Sequence, residues 1–162
     1  MSNDTIDTSQ ATNSTDRIEK HIVIAAPRAR VWRAIADVRE FGSWFRVNLQ
    51  GQFEPGARLR GNILEPNWEH LVVEIDVEKV EPERLLSFRW HPAPADPKRD
   101  YTSEPKTLVE FMLADAPDGT LLVVRESGFD ALPVERRAEA YRMNEGGWAV
   151  QVERVARHVA AH

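Results

Sequence analysis

The chain contains no cysteine and no long apolar run, and each absence narrows what it can be. Without cysteine there is no disulfide framework, no thiolate metal site and no cysteine nucleophile. No stretch approaches the ~20 apolar residues of a membrane-spanning helix, and no charged-then-apolar leader opens the chain. Lys and Arg number 21 against 26 Asp and Glu, for a formal charge of −5. With no basic cluster, that balance argues against a nucleic-acid partner. Glycine-rich phosphate loops, the Gly-x-Ser-x-Gly elbow, His-Glu-x-x-His and the dinucleotide fingerprint are all missing. The expectation is a cytoplasmic protein of 162 residues with one folded domain, no membrane span, no cofactor and no metal.

Residues 1–16 are almost entirely Ser, Thr, Asp, Asn and Gln, and read as a disordered polar tail. Order is expected from Arg17. Ile18, Ile22 and Ile24 share one parity, as on a strand with one buried face. Pro27 suits a first helical turn, and Val31, Ile35 and Val38 follow at helical spacing. FGSWF (41–45) reads as a short second helix or tight loop entered through Gly42 and Ser43. A long β stretch comes next. Glu54-Pro55-Gly56 turns one hairpin, Glu69 to Val80 alternates, and Leu86, Phe88 and Trp90 share a face. Four prolines between Pro92 and Pro105 mark a long loop, after which Val109, Phe111 and Leu113 point inward and Asp118-Gly119 turns into a last strand. From about Pro133 to the end, Tyr141, Trp148, Val152, Val155 and Val159 form one helical stripe. Gly146-Gly147 interrupts it, at ~1 kcal/mol each relative to Ala, and asks for a kink or a close approach of backbone or ligand. The elements describe an α+β fold, a curved antiparallel sheet wrapped around a long C-terminal helix, with two short helices after the first strand.

That order, together with IVIAAPRARVWRAIADV, FGSWF, FEPG, VVEIDVEKVEPERLLSFRW, VRESGFDALP and NEGGW, resembles the START-like superfamily and its helix-grip fold. Within it the chain is similar to stand-alone bacterial members of the group named after activators of the ninety-kilodalton heat-shock protein's ATPase. The resemblance covers residues 17–162. It implies a cavity between sheet and terminal helix, in which relatives hold apolar or amphipathic small molecules. Such a fold hosts many functions, so the site must decide.

The ESGF motif of that group favours Glu126 as a residue near the cavity mouth, although strand parity alone leaves either Arg125 or Glu126 inward. A carboxylate desolvated by aromatics rises in pKa and can accept a proton or anchor a ligand. The plainer reading is a strand-end Glu paired with an Arg. Glu69 shares parity with Leu71 and Val73, and is either a cavity residue or a solvated strand terminus. Phe88, Trp90, Phe111 and Trp148, with Trp32, Trp44, Phe45 and Phe53, are expected to converge beneath the terminal helix, as a ligand wall or a solid core. Tyr141, Asn144 and Trp148 are neighbours at helical spacings of three and four, and could orient a polar ligand group. Asn144 could instead bond nearby backbone. His158 and His162 have a metal-compatible spacing but no third ligand nearby, so no metal is assigned.

Three functions compete at this level. The first is intracellular binding of a small hydrophobic or amphipathic molecule, through Glu69, Phe88, Trp90, Phe111, Glu126, Tyr141, Asn144 and Trp148. The second is a cyclase-, aromatase- or hydrolase-like enzyme using Glu126, Glu69 or Tyr141 as general acid/base. The third is chaperone ATPase activation, weakened because eukaryotic activators carry an additional N-terminal domain where this chain has a short polar tail. A homodimer through the Pro92–Pro105 loop or an edge strand is left open.

Overall fold

The computed structural model describes Ile6 and residues 14–162. Most of the tail expected over 1–16 therefore lies outside the described residues. Its last three residues are held in place. Ser14 Oγ accepts from the backbone N–H groups of Asp16 and Arg17, and Thr15 donates to Asp130 at 2.9 Å.

Seven strands form one antiparallel sheet in the order β1-β7-β6-β5-β4-β3-β2. They are β1 (Arg17–Ile24), β2 (Val47–Gln50), β3 (Arg58–Ile63), β4 (Val72–Glu81), β5 (Leu85–Trp90), β6 (Thr107–Ala116) and β7 (Gly119–Ser127). Alternation places Ile18, Ile75, Phe88, Phe111 and Leu122 on the concave face, each essentially without exposure. The register pairs Trp90 with Thr107 and Glu126 with Val109, so the last inward positions of β5 and β7 and the first residue of β6 meet at one end of the sheet.

Two helices separate β1 from β2. α1 (Arg28–Ala36) follows Pro27, and α2 (Val38–Phe45) follows at once. The spacing of Val31, Ile35 and Val38 predicts one helix through Val38, but the chain breaks at Asp37. Its extended backbone ends α1, and its carboxylate accepts from the N–H groups of Arg39 and Glu40 to cap α2. Gly42 lies inside α2 rather than at its entrance. A Cβ there would stand 2.5 Å from the Val47 carbonyl oxygen, so only glycine lets β2 turn back so tightly.

Behind β7, Gly128 takes a left-handed φ of 107° and opens a 3₁₀ turn over Phe129–Ala131. The chain then enters α3 (Val134–Ala161). α3 lies in the grip of the sheet and packs against β1, α1 and α2. Ala140, Trp148, Val152, Val155 and Val159 are buried along its inward stripe. The expected interruption at Gly146-Gly147 does not occur: the helix runs through both residues, and a Cβ at either would meet open space. No backbone approaches them, and their cost is not offset by packing.

Candidate functional site

The inward face of β7 reads Leu122, Val124, Glu126, so the sheet's pleat carries a carboxylate to a position where apolar side chains precede it. Glu126 has no solvent exposure. Such a group requires partners for both oxygens. Oε2 accepts from the Trp90 indole N–H at 2.7 Å and the Thr107 hydroxyl at 2.6 Å. Oε1 accepts from the Trp148 indole N–H at 2.7 Å and the Asn144 amide at 2.9 Å. Asn144 and Trp148, one helical turn apart on α3, thus reach the carboxylate together, while β5 and β6 supply the other two donors.

All four donors are neutral, and among the described residues no cation bonds Glu126. Burial therefore pushes its pKa up from the ordinary carboxylate value, while the bonds from Thr107, Trp90, Trp148 and Asn144 pull the other way without prevailing. Two of the partners can only donate, because an indole N–H has no acceptor role. Thr107 is the member that can reverse, accepting from Oε2 when the carboxyl is protonated.

The knot also fixes an aromatic wall. The Trp90 and Trp148 rings stack with centroids 5.8 Å apart, and Phe45 packs at 6.0 Å from Trp90 and 6.1 Å from Trp148. In front of this wall lies a cavity of about 290 Å³. One side is the turn end of β3 and β4, Ile63 with Leu71, Val73 and Glu74. Phe45, Trp90 and Asn144 form the floor. The remaining side is the loop between β5 and β6, through His91, Ala93, Pro94, Tyr101 and Thr102. A smaller crevice of about 90 Å³ shares the same floor and extends along α3 past Gly147 and Gln151.

The loop is held by α3. Arg136 donates from Nη2 to the Pro92 carbonyl at 2.8 Å and from Nη1 to the Ala93 carbonyl at 3.3 Å. Its Nε reaches Glu104 Oε1 at 2.6 Å, and its guanidinium lies 4.7 Å from the centre of the Tyr101 ring. Arg99 takes the other Glu104 oxygen at 2.8 Å, and the His91 Nε2–H donates to the Glu104 carbonyl at 3.1 Å. Burial pushes the Glu104 carboxyl up, but Arg136 and Arg99 outweigh it and hold its pKa below the ordinary range.

The expected site residues divide among these places. Trp90 and Asn144 line both hollows, and Trp148 lines the smaller. Glu126 lies behind them, not at a mouth, and reaches the cavity only through the groups it binds. Phe88 and Phe111 are core residues behind Trp90, with Phe88 centred 5.4 Å from Trp90 and 6.1 Å from Phe111. Tyr141 is turned away from Asn144. Its hydroxyl meets the Ser14 and Arg17 carbonyls at 3.1 and 2.9 Å, and its ring packs on Phe129. Glu69 precedes β4 in an exposed loop, where its carbonyl accepts from the Asn62 amide at 3.2 Å. His158 bonds Glu40 at 2.9 Å and stacks on His162, and no group of three metal-ligating side chains occurs among the described residues. Sequence reasoning misses Thr107 and the loop residues His91, Tyr101 and Thr102. The signal available is an aromatic and a histidine inside the Pro-rich segment that directly follows inward-facing Trp90.

A curved antiparallel sheet closed on a long terminal helix, hollow at one end between sheet, loop and helix, defines the helix-grip class of the START-like superfamily. The chain belongs to the family described as Activator of Hsp90 ATPase homolog 1-like protein, whose model matches residues 25–160. No curated protein matches it. Among solved structures it is similar to protein MLL2253 from Mesorhizobium loti, at 24% identity and TM-score 0.71 over 90% of this chain and 97% of that one. DynU16, a protein of the dynemicin biosynthetic locus, is 26% identical with TM-score 0.69, matching 90% of this chain and 47% of its own. Protein Ms6760 from Mycobacterium smegmatis is 17% identical with TM-score 0.71, over 88% of this chain and 90% of that one. No helix among the described residues is long and apolar enough to cross a membrane.

Proposed function

We propose that the chain is a cytoplasmic binding protein for a small apolar or amphipathic molecule, held in the 290 Å³ cavity beside Trp90 and Asn144. The observation that carries this reading is the use of a buried carboxylate to fix the cavity's own floor. Glu126 bonds both Trp90 and Asn144, and both of these line the hollow. Burying a carboxylate among neutral donors is costly, and a solid core would pack apolar side chains there at less cost. A rigid floor instead lowers the entropy lost when a ligand is bound. The volume lies at the lower end of the ~300–1,000 Å³ common for small-molecule sites. The likeness to DynU16, whose locus is biosynthetic, supports a small organic ligand.

An acid/base enzyme needs its titrating group in contact with the substrate. Glu126 is shielded by the groups that bind it, so the structure favours holding a ligand over transforming one. Native mass spectrometry of the protein purified from its own host, with extraction of any passenger, tests the proposal. A stoichiometric small molecule released on denaturation is expected. A clean apo mass, with no shift on addition of apolar compounds, would count against it.

A further inference from the structure

The cavity has a charge character as well as a shape. Among the described residues that line it there is no Lys or Arg, and the ionisable side chains are Glu74 at the rim, His91 and Tyr101. Behind the floor sits Glu126, with no counterion among the described residues. The nearby cations are spent elsewhere. Arg136 and Arg99 lie on the far side of the loop, lining a separate polar hollow, and both hold Glu104. Arg60 faces Glu74, and Lys106 and Arg58 hold Asp76.

The open hydrogen-bonding positions at Asn144 and His91 are acceptors, while Tyr101 on the loop wall accepts from the Asp96 N–H at 3.1 Å and keeps its own O–H as a donor. A carboxylate oxygen can only accept, so the Asn144 atom on Glu126 Oε1 is the amide nitrogen. Asn144 Oδ1 is thereby left as an acceptor without a partner among the described residues. A carbonyl can only accept, so His91 bonds Glu104 through Nε2–H, which leaves Nδ1 of the Nε2–H tautomer as a second acceptor. A ligand oxyanion at the floor would meet these lone pairs and no cation.

We propose that the cavity selects small, neutral aromatic molecules carrying a hydrogen-bond donor, of the phenol type, and discriminates against organic carboxylates. Asn144 Oδ1 and His91 Nδ1 receive the donor, while Phe45 and Trp90 receive the ring. The inference rests on the binding reading above.

Calorimetric titration of the full chain with 2-naphthol and with 2-naphthoate at pH 7 tests it, since the two probes share a ring system and differ in charge. The naphthol is expected to bind at least about tenfold more tightly, a difference of about 1.4 kcal/mol. Thr102→Trp places a bulky side chain from an exposed loop position into the cavity and is expected to abolish naphthol binding. Equal affinities, or tighter naphthoate, would overturn the charge selectivity and leave the binding site standing. If neither probe binds, or if Thr102→Trp binds naphthol as wild type does, the site itself is wrong and the inference falls with it.

Discussion

Glu104 lies within the segment that joins β5 to β6 and Glu126 bonds the two residues that flank it, yet Glu126 is held by four neutral donors and Glu104 by two guanidinium groups. Their carboxyl pKa values move in opposite directions for that reason. Burial dominates at Glu126 and raises it, whereas Arg136 and Arg99 overcome burial at Glu104 and lower it. Glu104 locks the loop to the first turns of α3, with charge balanced and exposure low. Glu126 fixes the residues that face the hollow while leaving its own charge uncompensated. The contrast separates the clamp that shapes the cavity from the floor that gives it character.

Removing either knot is the most severe way to break the comparison. Glu126→Ala leaves four donors without their acceptor and opens a cavity, and should cost about 3–5 kcal/mol in urea unfolding. Glu126→Gln keeps the shape and two of the hydrogen bonds, and orphans about one indole N–H, for about 1–3 kcal/mol. Arg136→Met should cost about 2 kcal/mol, because Arg99 still partners Glu104 while the Pro92 and Ala93 carbonyls lose their donor. Limited proteolysis should then cut first between residues 92 and 105.

The two carboxyls also give opposite pH signatures. The folded state binds the Glu126 proton more tightly than the unfolded chain does. Stability from this group is therefore full below the ordinary Glu pKa and falls as pH rises through the raised value. Glu104 does the reverse, contributing at neutral pH and losing its contribution as pH falls through its lowered value. In Glu126→Gln the loss of stability above the ordinary Glu range should disappear, and in Glu104→Gln part of the acid sensitivity should. Matched unfolding curves from pH 2 to 8 would read both, Glu104 in the acid limb and Glu126 above the ordinary Glu range; parallel wild-type and Glu126→Gln profiles would contradict the assignment.

The smallest effect is expected at the glycine pair. A Cβ at Gly146 or Gly147 meets nothing within 4 Å, so either Gly→Ala change should stabilise α3 by about 0.5–1 kcal/mol. Only Gly147 lines the smaller crevice, so Gly147→Ala should alter ligand affinity and Gly146→Ala should not. Equal affinities in the two variants would remove the crevice from the binding site.

Much of this architecture is legible because alternation and helical spacing are local. The inward parity of Phe88, Val109, Phe111 and Leu113, and the stripe from Trp148 to Val159, follow directly from periods of two and 3.6 residues. Where a break depends on one side chain capping the next element, as at Asp37, periodicity carries the first helix too far. The inward turn of Glu126 is undecidable from parity, since both faces of β7 carry apolar residues; what decides it is the presence of four donors from three other elements. The loop's part in the cavity is invisible for a related reason. Arg136 and Glu104 are separated by 32 positions, and nothing local marks them as partners. Tyr141 shows the converse error. Its spacing from Asn144 and Trp148 does put it near their face of α3, but seven residues place it about 10 Å along the helix from Trp148, where its hydroxyl meets the β1 backbone instead of the cavity.

Whether a ligand rests on Trp90 and Asn144 is read most directly by a nitrogen-15 NMR titration of the wild-type chain with 2-naphthol. The signals to follow are the indole N–H groups of its five tryptophans and the asparagine side-chain amides. Saturable shifts are expected on the Trp90 indole and the Asn144 amide, with smaller ones on Trp148 and none on Trp32 or exposed Trp68. Shifts centred on Trp68, or no saturable shift at Trp90 and Asn144, would contradict this placement of the ligand.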